Sequence, residues 1–262
     1  MSALNTAATG MLAQQRNVEV ISNNIANLNT VGFKRQRAEF QDLLYQTLER
    51  PGAISSETGT TVPNGVQIGT GVKTGSVYRI VEQGNVTATG NDFDIAVSGR
   101  GLFRVFLLDG AEAYTRAGNF AVSADGRIVT EDGNEVAPGI IVPEDAVDIS
   151  ISRDGTVEAR IAGRQDLETL GRLELVTFFN ESGLEAIGDN LLLETAASGE
   201  PLIGNPGEVG FGEILQGFIE TSNVDPVQEI TALIAAQRAY EMNARVIETA
   251  DEMLSVNANL QG

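Results

Sequence analysis

Apolar residues recur every seven positions at both ends of this chain of 262 residues, in two rows within residues 4–28, one of them interrupted by Gln14, and two within residues 232–260. A seven-residue repeat puts its members on one stripe of an α-helix and is typical of helices that pack side by side. The sequence therefore predicts two long amphipathic helices that bracket the rest of the chain. The candidate subunit-contact residues of this helical core are Leu4, Met11, Val18, Ile21, Ile25, Leu233, Tyr240, Val246, Ile247, Met253 and Leu254.

The sequence also marks where the C-terminal helix starts. Asp225 is a good capping residue, and Pro226 suits the first helical position. Gln228 stands where a capping box places its amide or carboxylate. We therefore expect this helix to begin at Pro226.

Between the two helices, short β-branched runs alternate with glycines and turn signals. Asp-Gly pairs flanked by strand-like stretches are typical of hairpin turns. We expect an α+β fold, in which paired, coiled-coil-like N- and C-terminal α-helices accompany a central antiparallel β-rich domain. The turn signals are Asp109-Gly110, Asp125-Gly126, Asp132-Gly133 and Asp154-Gly155.

Composition changes along the chain distinguish the terminal helices from a compact antiparallel β domain of about residues 75–197. Residues 49–72 are rich in glycine, proline and serine and follow neither period, which indicates an extended excursion or a hairpin. Residues 198–212 form a shorter polar stretch that leads back toward the C-terminal helix.

Charge and missing residue types limit the function. The chain has 36 acidic and 17 basic residues and a net charge of -19, so attraction to nucleic acid or to an anionic membrane is unfavourable. It has no Cys and no His, which excludes thiolate and imidazole catalysis and the commonest zinc ligands. We expect protein partners, no cofactor, no nucleic acid and no membrane insertion. The first residues have neither a basic leader nor a continuous apolar run, which predicts no cleaved signal peptide.

Two acidic groups are conceivable catalytic carboxylates or calcium ligands: Asp92 with Asp94, and Glu144 with Asp145 and Asp148. They lack the spacing of an EF-hand loop, and carboxylates in the turns of so acidic a chain are more often solvated. The sequence therefore predicts no catalytic, cofactor-binding or metal-binding residue, and no enzyme. A secreted acidic β-domain hydrolase with coiled-coil ends for oligomerisation stays as an alternative of another class.

The two terminal helices need packing partners besides each other to be stable. A lone pair of such helices buries too little apolar surface to offset the entropy lost in ordering both segments. Packing against neighbouring subunits buries further faces, so we expect terminal segments that fold upon polymerising. Spacing alone leaves a second interpretation open, in which an ordinary intramolecular coiled coil supports the β domain.

Strings at both chain ends resemble the signatures of the rod and hook family, the axial proteins of bacterial flagella. Residues 22–35 read SNNIANLNTVGFKR, residues 220–225 read ETSNVD, and residues 236–241 read AQRAYE. Residues 92–103 and 114–120 are similar to middle-domain motifs of this family, with Leu102 in place of the more usual Phe. The candidate signature residues are Asn23, Asn24, Asn27, Asn29, Gly32, Phe33, Ser222, Asn223, Gln237, Arg238 and Tyr240.

The segment of residues 45–72 resembles the insertion of the distal-rod members of this family, which hook proteins lack. In the family, this insertion lies against neighbouring subunits and helps to keep the rod straight. A proximal-rod or hook protein is the alternative within the family. The candidate insertion residues are Pro51, Ser55, Ser56, Pro63, Gly65, Gly69 and Gly71.

The resemblance implies three domains. Residues 1–30 with 222–262 then form a terminal helical core, residues 31–74 with 198–221 form an intermediate extended or β domain that contains the insertion, and residues 75–197 form the outer β domain.

The resemblance also implies a structural subunit of a drive shaft, which polymerises helically around a central export channel and transmits torque from motor to hook. Its partners are then copies of itself, proximal-rod proteins, the hook or its junction, the outer L- and P-ring bushing, and the flagellar type III export apparatus. Its expected location is the periplasm-spanning rod of the basal body. We further expect the β domain to carry most of the negative charge outward, which discourages sticking to the ring.

Overall fold

The computed structural model describes residues 2–49, 64–164 and 166–261, and it confirms the α+β prediction. The chain divides into two compact units. The helical unit comprises residues 1–25, 36–78 and 226–262. The β unit comprises residues 26–35 and 79–225.

The helical unit contains the two long helices, α1 (Ser2–Ala26) and α2 (Pro226–Gln261). Helix α2 begins at Pro226, as predicted. Gly10 packs against the side chain of Asn243, and Asn24 donates a hydrogen bond to Glu229. Because residues near the start of α1 meet residues far along α2, the helices run antiparallel.

The packed side of the helical unit is made of small side chains. Its buried apolar residues are Ala7, Ala13, Ile21, Ala236 and Ala250, so Ile21 alone of this described set is large. Among the side chains of α2 that the structure describes, the large apolar ones are half-buried or exposed. The described part of the helical unit therefore has little apolar core of its own.

Four strands complete the helical unit. Strand β1 (Gln36–Asp42) pairs with β4 (Val72–Arg79), and β2 (Tyr45–Glu49) pairs antiparallel with β3 (Val66–Gly69). In the second pair Tyr45 lies opposite Gly69.

The β unit is built from short antiparallel strands. Nine of them form one sheet: β7 (Leu102–Phe106), β8 (Glu112–Thr115), β9 (Ala121–Val122), β10 (Ile128–Val129), β11 (Glu135–Val136), β15 (Leu175–Thr177), β16 (Glu185–Gly188), β17 (Leu191–Leu193) and β18 (Leu202–Gly204). The order of strands in this sheet is β16-β17-β8-β7-β11-β10-β9, with β15 paired to β7 and β18 paired to β15. A 3₁₀ turn at Glu181–Gly183 precedes β16.

Three smaller sheets complete the β unit. Their strands are β5 (Val86–Ala88), β6 (Ile95–Ser98), β12 (Ala146–Ile151), β13 (Thr156–Ile161), β14 (Leu167–Arg172), β19 (Glu213–Gln216) and β20 (Phe218–Glu220). Strand β5 pairs with β20, β6 pairs with β19, and β12, β13 and β14 form a three-stranded sheet.

All four predicted Asp-Gly turns are confirmed. They join β7 to β8, β9 to β10, β10 to β11, and β12 to β13. Their glycines, Gly110, Gly126, Gly133 and Gly155, have φ angles of 79° to 85°. This left-handed conformation costs glycine least, which explains the residue in each turn.

The apolar core of the protein lies in the β unit. The larger cluster gathers side chains from many strands, and Phe103 meets Phe120 edge to face at 5.1 Å between ring centroids. A second cluster lies around Tyr114 and Phe178, whose rings are 4.8 Å apart. The β unit therefore has the interior of a self-supporting domain.

Candidate functional site

Three of the quoted strings meet in one buried charged cluster of the β unit, formed by Lys34, Arg116 and Glu220. The Glu220 side chain is buried at the end of β20. One of its oxygens accepts hydrogen bonds from Lys34 Nζ at 2.5 Å and from the backbone N–H of Gly84 at 2.9 Å. The other accepts from Arg116 Nε at 2.5 Å. Two ion pairs thus tie the N-terminal, middle and C-terminal strings together.

The guanidinium of Arg116 also satisfies backbone groups at and after the end of β6. It donates to the carbonyl oxygens of Val97 at 2.8 Å and Gly99 at 2.6 Å, and to that of Gly101. Val97 lies in β6, and Gly99 and Gly101 follow its end, where the chain bends. A buried charge is tolerated when it is paired and its other donors are used, and Arg116 meets both conditions.

Burial and charge oppose each other in this cluster. Burial would raise the pKa of Glu220, but Arg116 and Lys34 together hold that pKa below its ordinary value. Burial lowers the pKa of Lys34, although Glu220 acts in the opposite direction. The carboxylate of Glu220 is therefore the stabilised ion of the cluster.

We expect Glu220 to make the β unit sensitive to acid. A carboxyl group with a lowered pKa in the folded state stabilises the fold above its ordinary pKa and loses this contribution as pH falls through the folded value. The free energy of unfolding should therefore differ most between wild type and Glu220→Gln at about pH 7, and the difference should shrink below about pH 4. Urea titrations at several pH values measure this, and a difference that stays constant contradicts it.

The signature glycine Gly32 has a steric reason. It is buried with a φ of 70°, and its N–H donates to the carbonyl oxygen of Glu220 at 2.8 Å. A Cβ added there would lie 2.6 Å from the backbone nitrogen of Ala117. A side chain at this position would thus push apart the segments that the charged cluster joins.

The signature residue Asn223 binds backbone with its whole side-chain amide. Its oxygen accepts from the N–H of Arg35 at 2.7 Å. Its nitrogen donates to the carbonyl oxygens of Ile80 and Glu82, both at 3.0 Å. Asn223 therefore holds the chain that leaves the first helix beside the chain that leads to β5.

Asn24 does the same within the helical unit. It is buried on α1, and its amide exchanges hydrogen bonds of 2.8 Å with both the N–H and the carbonyl oxygen of Gln36, the first residue of β1. Its nitrogen also lies 3.1 Å from a carboxylate oxygen of Glu229, buried on α2. Asn24 thus connects both helices with a strand.

The other signature residues lie in varied surroundings. Asn27 accepts a hydrogen bond from the Thr30 hydroxyl at 3.1 Å, and Phe33 is half-buried. Ser222 is buried, and its hydroxyl accepts from the N–H of Val224 at 3.3 Å. The exposed signature residues are Asn23, Asn29, Gln237, Arg238 and Tyr240.

The predicted subunit-contact residues do not share one environment. Ile21 is buried. Leu4, Met11, Val18, Ile25, Leu233 and Ile247 are half-buried. Tyr240, Val246, Met253 and Leu254 are exposed by 44%, 48%, 64% and 47%. Their role in subunit contacts stays a prediction.

The predicted insertion is described only at its ends. Pro51, Ser55, Ser56 and Pro63 lie outside the described residues. Gly65 comes just before β3, and Gly69 lies within it. Gly71 has a φ of 137°, and the nearby Thr9 hydroxyl accepts a hydrogen bond from the N–H of Val72 at 3.3 Å. On either side of the gap, Leu44, Leu48 and Ile68 are exposed.

Charge is distributed unequally along the chain. The residue ranges of the β unit contain 26 acidic and 11 basic residues, a net charge of -15. The ranges of the helical unit contain 10 acidic and 6 basic residues, a net charge of -4. Most of the negative charge thus belongs to the β unit.

Sequence reasoning missed Arg116, Glu220 and Glu229 as structural residues. The first two stood inside quoted strings but were treated only as letters of a motif. A charged residue inside a short apolar strand, as in the GFIE run that ends at Glu220, was the available signal. Glu229 lies in the first turn of α2 and belongs to neither apolar row, so the seven-residue pattern gave no signal for it.

Within residues 2–49, 64–164 and 166–261, no group of three or more carboxylate, His or Cys side chains is placed to hold a metal ion. No helix in the described part of the chain combines the length and the apolar character needed to cross a membrane.

Three family models match this chain, and together they sample both ends and the middle. Residues 4–34 match "Flagella basal body rod protein". Residues 96–159 match "Flagellar hook protein FlgE/F/G D1 domain". Residues 215–260 match "Flagellar basal body rod FlgEFG protein C-terminal".

Similar proteins cover the whole chain. The flagellar basal-body rod protein FlgG of Caulobacter vibrioides is 61% identical over 261 residues, covering 100% of each chain. That of Agrobacterium fabrum is 53% identical over 256 residues, covering 98% of each. The flagellar basal-body rod protein FlgF of Caulobacter vibrioides is 32% identical over 256 residues, covering 96% of this chain and 94% of the other.

Proposed function

Because this chain belongs to the FlgG family of flagellar basal-body rod proteins, we propose that it builds the distal part of the rod as a helical polymer and carries torque from motor to hook. The family makes it a structural subunit of the flagellum. The proposal gives it no catalytic step.

The main support for the proposed polymer is that the helical unit buries few large apolar side chains. Among the described residues, its two helices bury one large apolar side chain, Ile21, while the β unit buries many. Large apolar side chains of α2 remain exposed, among them Ile230, Met242, Met253 and Val256. Exposed apolar surface of this extent favours a protein partner, and identical helices are the most abundant partner in a polymer.

The different lengths of the helices point to where a neighbour docks. Helix α1 has 25 residues and α2 has 36. From the Gly10–Asn243 and Asn24–Glu229 contacts, Ser2 lies level with about residue 251 of α2. Met253, Leu254 and Val256 lie beyond that level, and we place the helix of another copy against them.

The choice of the distal rod depends on two relatives from one organism. Over nearly the same length, this chain is 61% identical to the FlgG protein of Caulobacter vibrioides and 32% identical to its FlgF protein. The higher identity favours the FlgG type over another rod protein.

Within the rod, we propose three layers that follow the domains expected from the sequence. The helices of residues 1–30 and 222–262 line a central channel, residues 31–74 and 198–221 form the middle layer, and residues 75–197 face outward. The net charge of -15 on the β unit supports an acidic exterior. The proposed partners are further copies, the proximal rod, the hook, the ring bushing and the export apparatus, in a rod that spans the periplasm.

Electron microscopy of the concentrated purified protein tests the proposal. Straight tubes with a central channel are the expected product. Discrete oligomers that hydrolyse a polymeric substrate would instead favour the acidic hydrolase. Bendable tubes would favour a hook-type axial protein.

We expect the terminal segments to gain helix when the protein polymerises. Because their mutual packing buries mainly alanines, the isolated pair is marginal in dilute solution. Circular dichroism should record less helix in dilute monomer than in the polymer, while the β unit remains folded in both. Equal helical content in both states contradicts this expectation and favours an ordinary intramolecular coiled coil.

A further inference from the structure

Two glutamine side chains of the β unit lie where a neighbouring strand would otherwise pair. Gln83 donates to the carbonyl oxygen of Val97 at 3.1 Å and accepts from the N–H of Gly99 at 3.0 Å. Gln216 donates to the carbonyl oxygen of Ile149 at 2.8 Å and accepts from the N–H of Ile151 at 2.9 Å. In both cases one amide spans the carbonyl of one residue and the N–H of the residue two positions later. A residue of a parallel neighbouring strand makes the same pair of bonds.

The first edge belongs to β6. This strand pairs with β19 on one side, and backbone groups of successive residues point to opposite sides. On the other side, the N–H of Ile95 donates to the carbonyl oxygen of Gly118 at 2.8 Å. Further along that side, the carbonyl oxygen of Val97 accepts from both Arg116 and Gln83, and the N–H of Gly99, in the bend just after β6, donates to Gln83. Backbone therefore closes this edge at the start of β6, and side chains close it at the end of the strand.

The second edge belongs to β12, the outer strand of the three-stranded sheet. Its inner side pairs with β13. On its outer side, the carbonyl oxygen of Arg153, just after the strand, accepts from the N–H of Ile214 at 3.0 Å. Gln216 then covers Ile149 and Ile151, and its second amide hydrogen goes to the carbonyl oxygen of Asp92 at 3.0 Å. The Gln216 amide thus uses both of its donors and its acceptor on backbone.

We propose that Gln83 and Gln216 are edge-closing residues, whose side-chain amides prevent β6 and β12 from pairing with the same strands of another copy. An unpaired strand edge is a template for another chain, and natural sheets block their edges. A side-chain amide has the donor and acceptor of a peptide group, so it fills the edge without offering a further edge beyond itself.

Closure of these strand edges matters most where copies of the chain are crowded, and this consequence rests on the proposed polymer. In such a polymer the local concentration of identical β units is very high. With these edges filled, copies associate through their helices and not through strand pairing. Edge closure itself belongs to the single chain and can be measured in dilute protein.

The test compares two substitutions at one position. Gln216→Leu and Gln216→Lys both remove the amide, so both should speed hydrogen exchange of the Ile151 N–H by about tenfold or more. Leucine leaves the edge open, whereas a lysine on an edge blocks strand pairing. We expect Gln216→Leu to associate into species rich in intermolecular β-structure at concentrations where wild type and Gln216→Lys stay monomeric. Light scattering measures the association, and infrared spectroscopy measures the intermolecular β-structure.

Gln41→Leu is the matched control, since Gln41 is an exposed strand residue of the helical unit outside residues 45–72. It adds the same apolar group without opening the edge of β12, and should stay monomeric. Equal association of the leucine and lysine variants would show general destabilisation and overturn the inference, as would association of Gln41→Leu or a monomeric Gln216→Leu. If Gln216→Leu does not fold, Gln83→Leu with Gln83→Lys repeats the comparison at β6. Failure of these tests leaves tube formation by the wild type untouched, so the two proposals fail independently.

Discussion

Replacing Met253 and Leu254 together with glutamate should abolish polymerisation of this protein. Both side chains are exposed on α2, beyond the level that α1 reaches. If another copy covers them, each carboxylate must be desolvated there, at a cost of several kcal/mol. A total of about 3 kcal/mol already raises the critical concentration for assembly by about 100-fold. Sedimentation and electron microscopy over a concentration series measure the change.

The control for this double variant is Leu108→Glu. Leu108 is 98% exposed beside the turn that joins β7 to β8, far in sequence from the helices. The same apolar-to-acidic change there should leave tube formation within about twofold of wild type. The monomer of the double variant should keep the thermal unfolding of its β unit. Tubes formed by the double variant at wild-type concentration would contradict the proposed contact.

Replacing Glu220 with alanine should lower the free energy of unfolding of the β unit by about 3 to 5 kcal/mol. The change leaves Lys34 and Arg116 buried without their carboxylate, and the N–H of Gly84 without its acceptor. Urea unfolding followed by circular dichroism in the β-sheet region measures the loss. The acid dependence described above belongs to the same carboxylate.

Glu213→Ala is the matched control. Glu213 lies on the neighbouring segment β19, and its carboxylate is 3.7 Å from Arg153, with both side chains more than half exposed. An exposed pair of this kind contributes at most about 1 kcal/mol. Similar losses for the two variants would mean that the charged cluster is no more important than a surface ion pair.

The elements that follow a local rule could be predicted from the sequence. The start of α2 at Pro226 follows from capping chemistry, and the four hairpins follow from Asp-Gly pairs, whose glycines adopt the expected left-handed backbone. Each of these signals concerns residues a few positions apart. Their energies are decided within one turn, so distant parts of the chain rarely override them.

The candidate sites could be predicted only in part, because their contacts join distant residues. Glu220 meets Lys34 across 186 positions, and Gln216 meets Ile149 across 67. Such polar contacts have no period and no spacing rule. The apolar rows had a related limit. They predicted the two long helices, but a row of apolar residues does not say whether the covering helix comes from the same chain or from another.

The long span of the Lys34–Glu220 pair also affects timing. At about 5 to 20 residues per second, a ribosome adds the intervening 186 residues in about 9 to 37 seconds. Lys34 is present when that interval begins and Arg116 is added within it, but the carboxylate that neutralises both is added only at its end. The nascent chain therefore cannot complete the charged cluster until about five-sixths of its 262 residues have been made. If the subunit is exported through a narrow channel before it assembles, as we propose, this order of synthesis favours its passage, because the charged cluster that stabilises the fold is completed late.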